Sequence, residues 1–320
     1  MLSPLTDLFA RDGFDAAVLL GLAFAVPVAL VALATRRVLP LAGLAFGAAA
    51  VLALDDRYTV EPGVVTALAV LAAGGLVADA LAAGGLLAER WAPVAYAAGA
   101  LPGAVLLTGA TEVETPDWAR PALAGVTVVG GALVAAFDRS HGHRGLPPVL
   151  LAVTAFGAYV TTPDTEHTAL VLGAALPVAL LGWPRPLASL GVGGSLVATA
   201  LVSWNVAVDG VGRPGAIVGG LACLGMFAVA PVVGRVTRRA DADVGDDSLL
   251  QALLVAGLHV VLVAVCSRVA GLRDAAPEAL VICAVAYAAA AALLVWGTRR
   301  LDGLDATPTA SGVAQRGTVR

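Results

Sequence analysis

The sequence predicts an all-α polytopic membrane protein, a bundle of about eleven transmembrane helices built as a series of helical hairpins. The first observation behind this prediction is composition: 59% of the 320 residues are hydrophobic, 13% are charged and the mean hydropathy is +0.90. So few charged side chains cannot cover the surface of a soluble domain. The second observation is that the apolar residues form long runs separated by charged or proline-containing breaks.

Each run is judged against the length of a membrane span, because a helix needs about 20 apolar residues to cross a hydrocarbon core. Eleven runs approach that length, and we expect between ten and twelve spans. The runs are 14–34, 38–54, 63–88, 92–110, 119–137, 146–161, 168–182, 187–208, 215–234, 249–270 and 278–297. They predict a single integral membrane domain over 1–300 and a flexible cytoplasmic tail over 301–320. The first run lacks a basic leader and a small-residue cleavage pattern, so we expect it to be a span.

The arginines predict the orientation, because positive residues are retained on the cytoplasmic side. All 19 basic residues are arginine. If the N-terminus is outside, 13 of these 19 fall in cytoplasmic segments, and most loop carboxylates fall outside. The expected location is therefore the cytoplasmic membrane, with the N-terminus outside and the C-terminus in the cytoplasm. The absence of lysine, with Asn205 as the only asparagine, is typical of a GC-rich genome and favours a prokaryotic source.

Prolines support the same topology by a different physical route. A proline introduces each later span that would run inward. Proline suits the first turn of a helix, because the N–H group that it lacks would have no hydrogen-bond partner there. These residues are Pro62, Pro116, Pro163, Pro214 and Pro277. Similar Thr-Pro-Asp starts at 115–117 and 162–164 fit an old duplication, or the reuse of a good helix start, which we favour.

Asp79 is the most informative candidate residue, because a carboxylate at membrane depth is expensive and often functional. Small residues surround it at helical spacing, including Gly75 and Ala83, so we expect it to face the bundle interior. One interpretation is a proton, cation or substrate site. The other is a carboxylate that binds a neighbouring helix or reaches the cytoplasmic interface near Arg90.

His259 lies in the middle of the tenth run, on a polar seam with Gln251, Cys266 and Ser267. An imidazole there could relay protons or bind a metal, but a hydrogen-bonded interior histidine is the commoner outcome. It is the only histidine within a run, which argues against a bis-histidine haem.

The eighth run carries hydroxyl side chains at a strict four-residue spacing: Ser195, Thr199 and Ser203, followed by Asn205. Such a face either lines a polar path or binds an adjoining helix, and the second use is more frequent.

Three loop features are weaker. His141 and His143, with Asp138, could bind a metal, but a turn with solvated side chains is the more frequent outcome, because no third and fourth ligand follows at a suitable spacing. Asp164, Glu166 and His167 fit a helix start as well as a cation site. The pair Asp55-Asp56 resembles that of lipid-linked glycosyl transferases, but the large loops of those enzymes are absent. We predict no metal site and no cofactor.

Sequence motifs exclude several functional classes. No nucleotide-binding or hydrolase motif occurs, so an enzyme is disfavoured, and the net charge of −4 excludes nucleic acid as a partner. The remaining partners are the bilayer and a membrane protein or second copy.

The hypothesis that we favour is a transporter-like protein that moves a small solute, ion or lipid through a cavity. The cavity residues would be Asp79, His259, Ser195, Thr199, Ser203 and Asn205. The alternative is a non-catalytic membrane subunit or scaffold, because two central ionisable residues are few for eleven spans. An intramembrane enzyme acting on a lipid-linked substrate is a third, weaker option.

Overall fold

Helices account for most of the chain that the structure describes. The computed structural model describes residues 13–86, 88–111, 117–139, 145–162, 166–183, 185–224, 227, 229 and 249–305. Of these residues 83% are helical, and none belongs to a strand. The predicted all-α fold is thus confirmed for the described part of the chain.

Each of the eleven predicted runs contains a helix, and we number these helices α1 to α11. Their bounds are α1 Phe14–Thr35, α2 Ala42–Tyr58, α3 Pro62–Ala83, α4 Ala92–Ala110, α5 Ala119–Arg139, α6 Leu146–Thr161, α7 Glu166–Ala179, α8 Val192–Asp209, α9 Pro214–Ala222, α10 Leu249–Ala270 and α11 Ala276–Asp305. Short π-helical turns interrupt α5 at Val126–Gly130 and end α10 at Val265–Ala270. A short 3₁₀ turn, Glu89–Trp91, precedes α4.

Seven helices in the described ranges are long and apolar enough to cross a membrane. They are α1, α3, α4, α5, α8, α10 and α11. The helices α6 and α7 are apolar but shorter, with 16 and 14 residues. Length and composition therefore indicate a membrane-embedded helical protein with seven candidate spans, and the predicted count of eleven is not confirmed.

Proline positions match helix starts at the sites that the structure describes. Pro62 and Pro214 are the first residues of α3 and α9, and Pro277 is the second residue of α11. Proline fits these positions because the first N–H groups of a helix have no internal partner. Pro116 and Pro163 lie outside the described residues, as do His141, His143 and Asp164.

The helix α8 is the centre of the bundle. Its neighbours include α2, α3, α5, α7 and α9, and 83% of its length is buried. Glycines allow this close packing: a Cβ atom on Gly43 of α2 would lie 2.5 Å from the backbone carbonyl carbon of Gly194. A Cβ atom on Gly75 of α3 would lie 2.5 Å from the Cα atom of Gly193. Small residues therefore determine which helices surround α8.

The chain before α8 is extended, although the sequence predicted helix from residue 187. Leu39 donates its N–H to the carbonyl of Leu187, and Ser189 donates to Leu39. The backbones of Leu187, Ser189 and Leu190 therefore find partners in the loop before α2 and in its first two residues, so helix formation is delayed to Val192.

At the other end of the chain, α11 continues to Asp305, five residues into the predicted tail. The rest of that tail lies outside the described residues.

Candidate functional site

The four predicted polar residues of α8 are all buried. Ser195 and Ser203 have no exposed surface, while Thr199 and Asn205 are 1% exposed. Ser203 donates its hydroxyl to the backbone carbonyl of Thr199 at 2.7 Å, within its own helix. The hydroxyls of Ser195 and Thr199 and both amide atoms of Asn205 have no hydrogen-bond partner among the described residues. Buried polar groups without partners cost free energy, so these atoms need hydrogen-bond partners beyond the described residues.

The π-helical turn of α5 adds a buried hydroxyl to this region. Thr127 lies in that turn, has no exposed surface, and its hydroxyl is unpaired within the described part of the chain. Gly130 and Gly131 at the end of the turn pack against Thr199. Such π turns occur often at functional sites, because they displace side chains from regular helical register. Thr127 could not be predicted as a site residue, since nothing in the local sequence marks a π turn.

His259 is completely buried between α10 and α6. Its Nε2 atom lies 3.2 Å from the carbonyl of Leu150 and 3.0 Å from the hydroxyl of Thr154. A carbonyl only accepts, so Nε2 carries the proton and donates it. Phe227 packs edge-on against the imidazole with ring centroids 5.3 Å apart. These contacts match the interpretation of an interior, hydrogen-bonded histidine, although its Nδ1 atom has no partner in the described ranges.

Asp79 forms an ion pair with Arg139 at the end of α5. The two side chains are 35% and 43% exposed, so this pair lies at the edge of the bundle. This position matches the interpretation of a carboxylate bound to a neighbouring helix. Asp79 and His259 thus have separate partners, and the structure does not bring them into a shared contact. Their functional role stays a prediction.

Asp138, beside Arg139, holds the start of α8. It is only 6% exposed, and its two carboxylate oxygens accept the N–H groups of Leu190 and Gly191 at 2.9 and 2.8 Å. A carboxylate suits this position, because the N-terminal end of a helix carries partial positive charge. The sequence placed Asp138 only in the weak metal motif, since its partners lie about fifty residues away.

A second polar group lies at the opposite end of α8, and we call it the Asp209 layer: Tyr58, Glu166, His167 and Asp209. Tyr58 donates its hydroxyl to the carboxylate of Glu166, and its ring meets the ring of His167 with centroids 3.9 Å apart. The Nδ1 atom of His167 lies 2.8 Å from Asp209 Oδ1. The sequence indicated Glu166 and His167 as a helix start or cation site, but not their partners.

Tyr58 ends α2, outside the seven candidate spans, and its environment resists ionisation. Partial burial, the hydrogen bond to Glu166 and the negative charges of Glu166 and Asp209 raise the pKa of Tyr58 to about 12, against the opposing effect of Arg57. The phenol is therefore a hydrogen-bond donor at physiological pH.

The fold and these sites define a class, an α-helical membrane protein with buried polar groups on its central helix. Comparisons with known proteins add no family: no protein-family model matches the chain, and no curated protein matches it significantly.

Proposed function

We propose that the chain is a transporter-like protein of the cytoplasmic membrane that moves a small solute, ion or lipid along α8. The observation that carries this proposal is that one helix, α8, holds several buried polar side chains whose hydrogen-bonding atoms have no partner among the described residues. The central helix keeps Ser195, Thr199 and Asn205 away from lipid, yet leaves their polar atoms without partners among the described residues. A helix that served only for packing would gain by replacing them with apolar residues.

The proposal includes eleven spans, with the N-terminus outside. Support comes from the two ends of the bundle. The ends of α2 and α8 meet the start of α7 at Tyr58, Asp209 and His167, whereas the ends of α3 and α5 meet the start of α8 at Asp79, Arg139 and Gly191. Alternating helices produce this pattern, and the short helices α2 and α7 take part in it. Asp79 would then stand at the cytoplasmic end of the route.

Uptake by the purified protein in liposomes tests the proposal. The probes are radiolabelled choline, glycine and phosphate, which differ in charge, and a headgroup-labelled fluorescent phospholipid. We expect one probe to move, and Asp79→Asn and Thr199→Val to reduce its rate about tenfold or more, since a hydrogen bond to a charged group is worth roughly 1.5–3 kcal/mol. The matched control is Thr108→Val, because the hydroxyl of Thr108 binds only its own helix. Equal rates in Thr199→Val and Thr108→Val would contradict a route along α8.

The alternative, a non-catalytic membrane subunit, draws support from the periphery of the bundle. A groove of about 360 Å³ lies between α10 and α11. The residues that line it are apolar and include Leu258, Val261, Val265, Val281, Val285 and Leu293. A lipid chain or a partner helix would fit such a surface. If no probe moves, and the protein leaves its native membrane in a fixed ratio with one other membrane protein, the subunit function replaces transport.

A further inference from the structure

The Asp209 layer joins the surface of the protein to its central helix. Glu166 is exposed, the His167 side chain is 27% exposed, and the Asp209 side chain is 2% exposed. A hydrogen bond of 2.8 Å links the last two. A carboxylate oxygen accepts, so Nδ1 of His167 carries the proton in this bond. The imidazole therefore stands between solvent and a buried carboxylate.

The buried end of this layer is incomplete. The Oδ2 atom of Asp209 has no partner in the described part of the chain, and neither do the two amide atoms of Asn205, one helical turn deeper. Residues four apart on a helix share a face, so the carboxylate and the amide are neighbours. The Asp209 carboxylate has one unpaired oxygen, and the Asn205 amide next to it has no partner among the described residues. Because both are excluded from solvent, they need a further hydrogen-bonding group.

The register of α2 and α8 shows where this pair points. The two helices run in parallel, because Gly43 packs on Gly194 and Gly47 packs on Val197 one turn later. Tyr58 follows Gly43 by 15 residues, and Asp209 follows Gly194 by 15, so they lie at the same level. Asn205 follows Gly194 by 11 residues, about three full turns, and so faces α2 as Gly194 does. The amide of Asn205 thus lies on the face of α8 that packs on α2, one helical turn below the level of Tyr58 and Asp209.

We infer that the Asp209 layer is a proton-binding site, in which His167 carries protons between water and Asp209. Water delivers a proton to Nε2, and the resulting imidazolium releases its Nδ1 proton to Asp209 Oδ1. The carboxylate becomes a neutral acid, and His167 remains as the other neutral tautomer. No electrons move, and one proton is transferred. Histidine suits this step because its two ring nitrogens gain and lose protons independently.

The charged groups around this layer are Glu166 on α7 and Arg57 on α2, which act in opposite directions on the pKa of Tyr58. The Tyr58 phenol stays neutral while it donates to Glu166. The inference deepens the proposed transport function, because it names the proton as the coupling ion; the binding site itself does not depend on transport.

Infrared difference spectroscopy on the full chain in lipid nanodiscs tests the site, with the proton as the only probe. When the pH is lowered, we expect the carbonyl band of a protonated carboxylic acid to appear as Asp209 takes up a proton. Asp209→Asn should remove this band, and Asp56→Asn, an exposed carboxylate on the last turn of α2, should retain it. Asp209→Glu should keep the band at a shifted frequency, which identifies the group if the asparagine variant does not fold.

A pH jump tests the role of His167. In His167→Gln, which can still donate a hydrogen bond to Asp209, we expect the band to appear about 100-fold more slowly, the usual scale of proton transfer by a side chain. A band that survives in Asp209→Asn would overturn the site, and an unchanged rate in His167→Gln would overturn the relay. Neither result requires a transported solute, so a failed uptake assay and a failed proton site remain distinguishable.

Discussion

Two carboxylates at opposite ends of α8, Asp138 and Asp209, differ in their hydrogen bonding. Asp138 is paired through both oxygens and stabilises the extended chain before α8. Asp209, in contrast, uses one oxygen and leaves the other unpaired among the described residues. Pairing, more than burial, therefore separates a structural carboxylate from a candidate functional one.

Asp138→Ala should destabilise the fold markedly. It removes the acceptor of two N–H groups, and an unsatisfied buried donor costs about 1–3 kcal/mol. We expect a loss of roughly 2–4 kcal/mol in the free energy of unfolding, measured by titration with a denaturing detergent. Asp56→Asn, at an exposed position, should change this free energy by less than about 0.5 kcal/mol. Equal effects of the two variants would show that Asp138 does not hold α8.

Tyr58 provides a prediction about pH. Its raised pKa means that the folded protein favours the neutral phenol, so this contribution to stability is complete below about pH 10 and lost as the pH rises through about 12. Glu166→Gln removes the negative charge from the carboxyl side chain that accepts the hydrogen bond of Tyr58, and the pKa of Tyr58 should fall toward its ordinary value.

Absorbance at 295 nm measures this change, as the difference between each protein and the same protein with Tyr58→Phe. Asp56→Asn is the control and should leave the titration in place. A titration that Glu166→Gln does not alter would exclude the contact between Tyr58 and Glu166.

At the scale of elements, α8 is held by backbone-to-backbone contact. The glycines of α2 and α3 meet Gly193 and Gly194 with no room for a methyl group. Gly109 in α4 has no such role, because apart from the backbone of its own helix no atom lies within 4 Å of the point where a Cβ atom would lie.

These two environments make a matched pair of substitutions. Gly43→Ala should destabilise the protein by about 1–3 kcal/mol, because backbone atoms of Gly194 cannot move away as a flexible side chain would. Gly109→Ala should be neutral, or stabilising by up to about 1 kcal/mol, from the higher helix propensity of alanine. Both are measured by the same detergent titration. A harmless Gly43→Ala would mean that α2 and α8 are further apart than the structure places them.

At the scale of the whole molecule, the proposed orientation predicts which side of the membrane each end of α8 faces. The three native cysteines, Cys223, Cys266 and Cys283, are buried, so an added cysteine should dominate labelling. Val211→Cys, after α8, should react with an impermeant maleimide on intact cells. Arg185→Cys, before α8, should react only after the membrane is opened. Labelling of both from one side would exclude α8 as a span, and the reverse pattern would invert the orientation.

Much of the fold could be predicted because its signals are local. Apolar run length predicted a helix in each of eleven segments, and proline placed the starts of α3 and α9. The count of spans could not be predicted in the same way, because α2, α6 and α7 are short and their crossing depends on neighbours.

The candidate site was less predictable, because its residues acquire meaning from distant partners. The burial of Ser195, Thr199, Ser203 and Asn205 followed from their place on an apolar helix. The partner of Asp79 lies sixty residues along the chain, and that of His167 forty-two. No spacing rule within one helix reveals such pairs.

The sequence by itself determined that this protein belongs in a membrane, where its helices lie, and which few polar residues they carry. These properties depend on composition and on contacts within a turn or two of helix. Only the tertiary structure decided which polar groups find partners: Asp79 with Arg139, the Nε2 atom of His259 with Thr154 and Leu150, and Asp138 with the start of α8. It also showed that Asp209 Oδ2 and the amide of Asn205 have no hydrogen-bond partner within the described chain. The partners depend on the register between helices, which close glycine contacts fix.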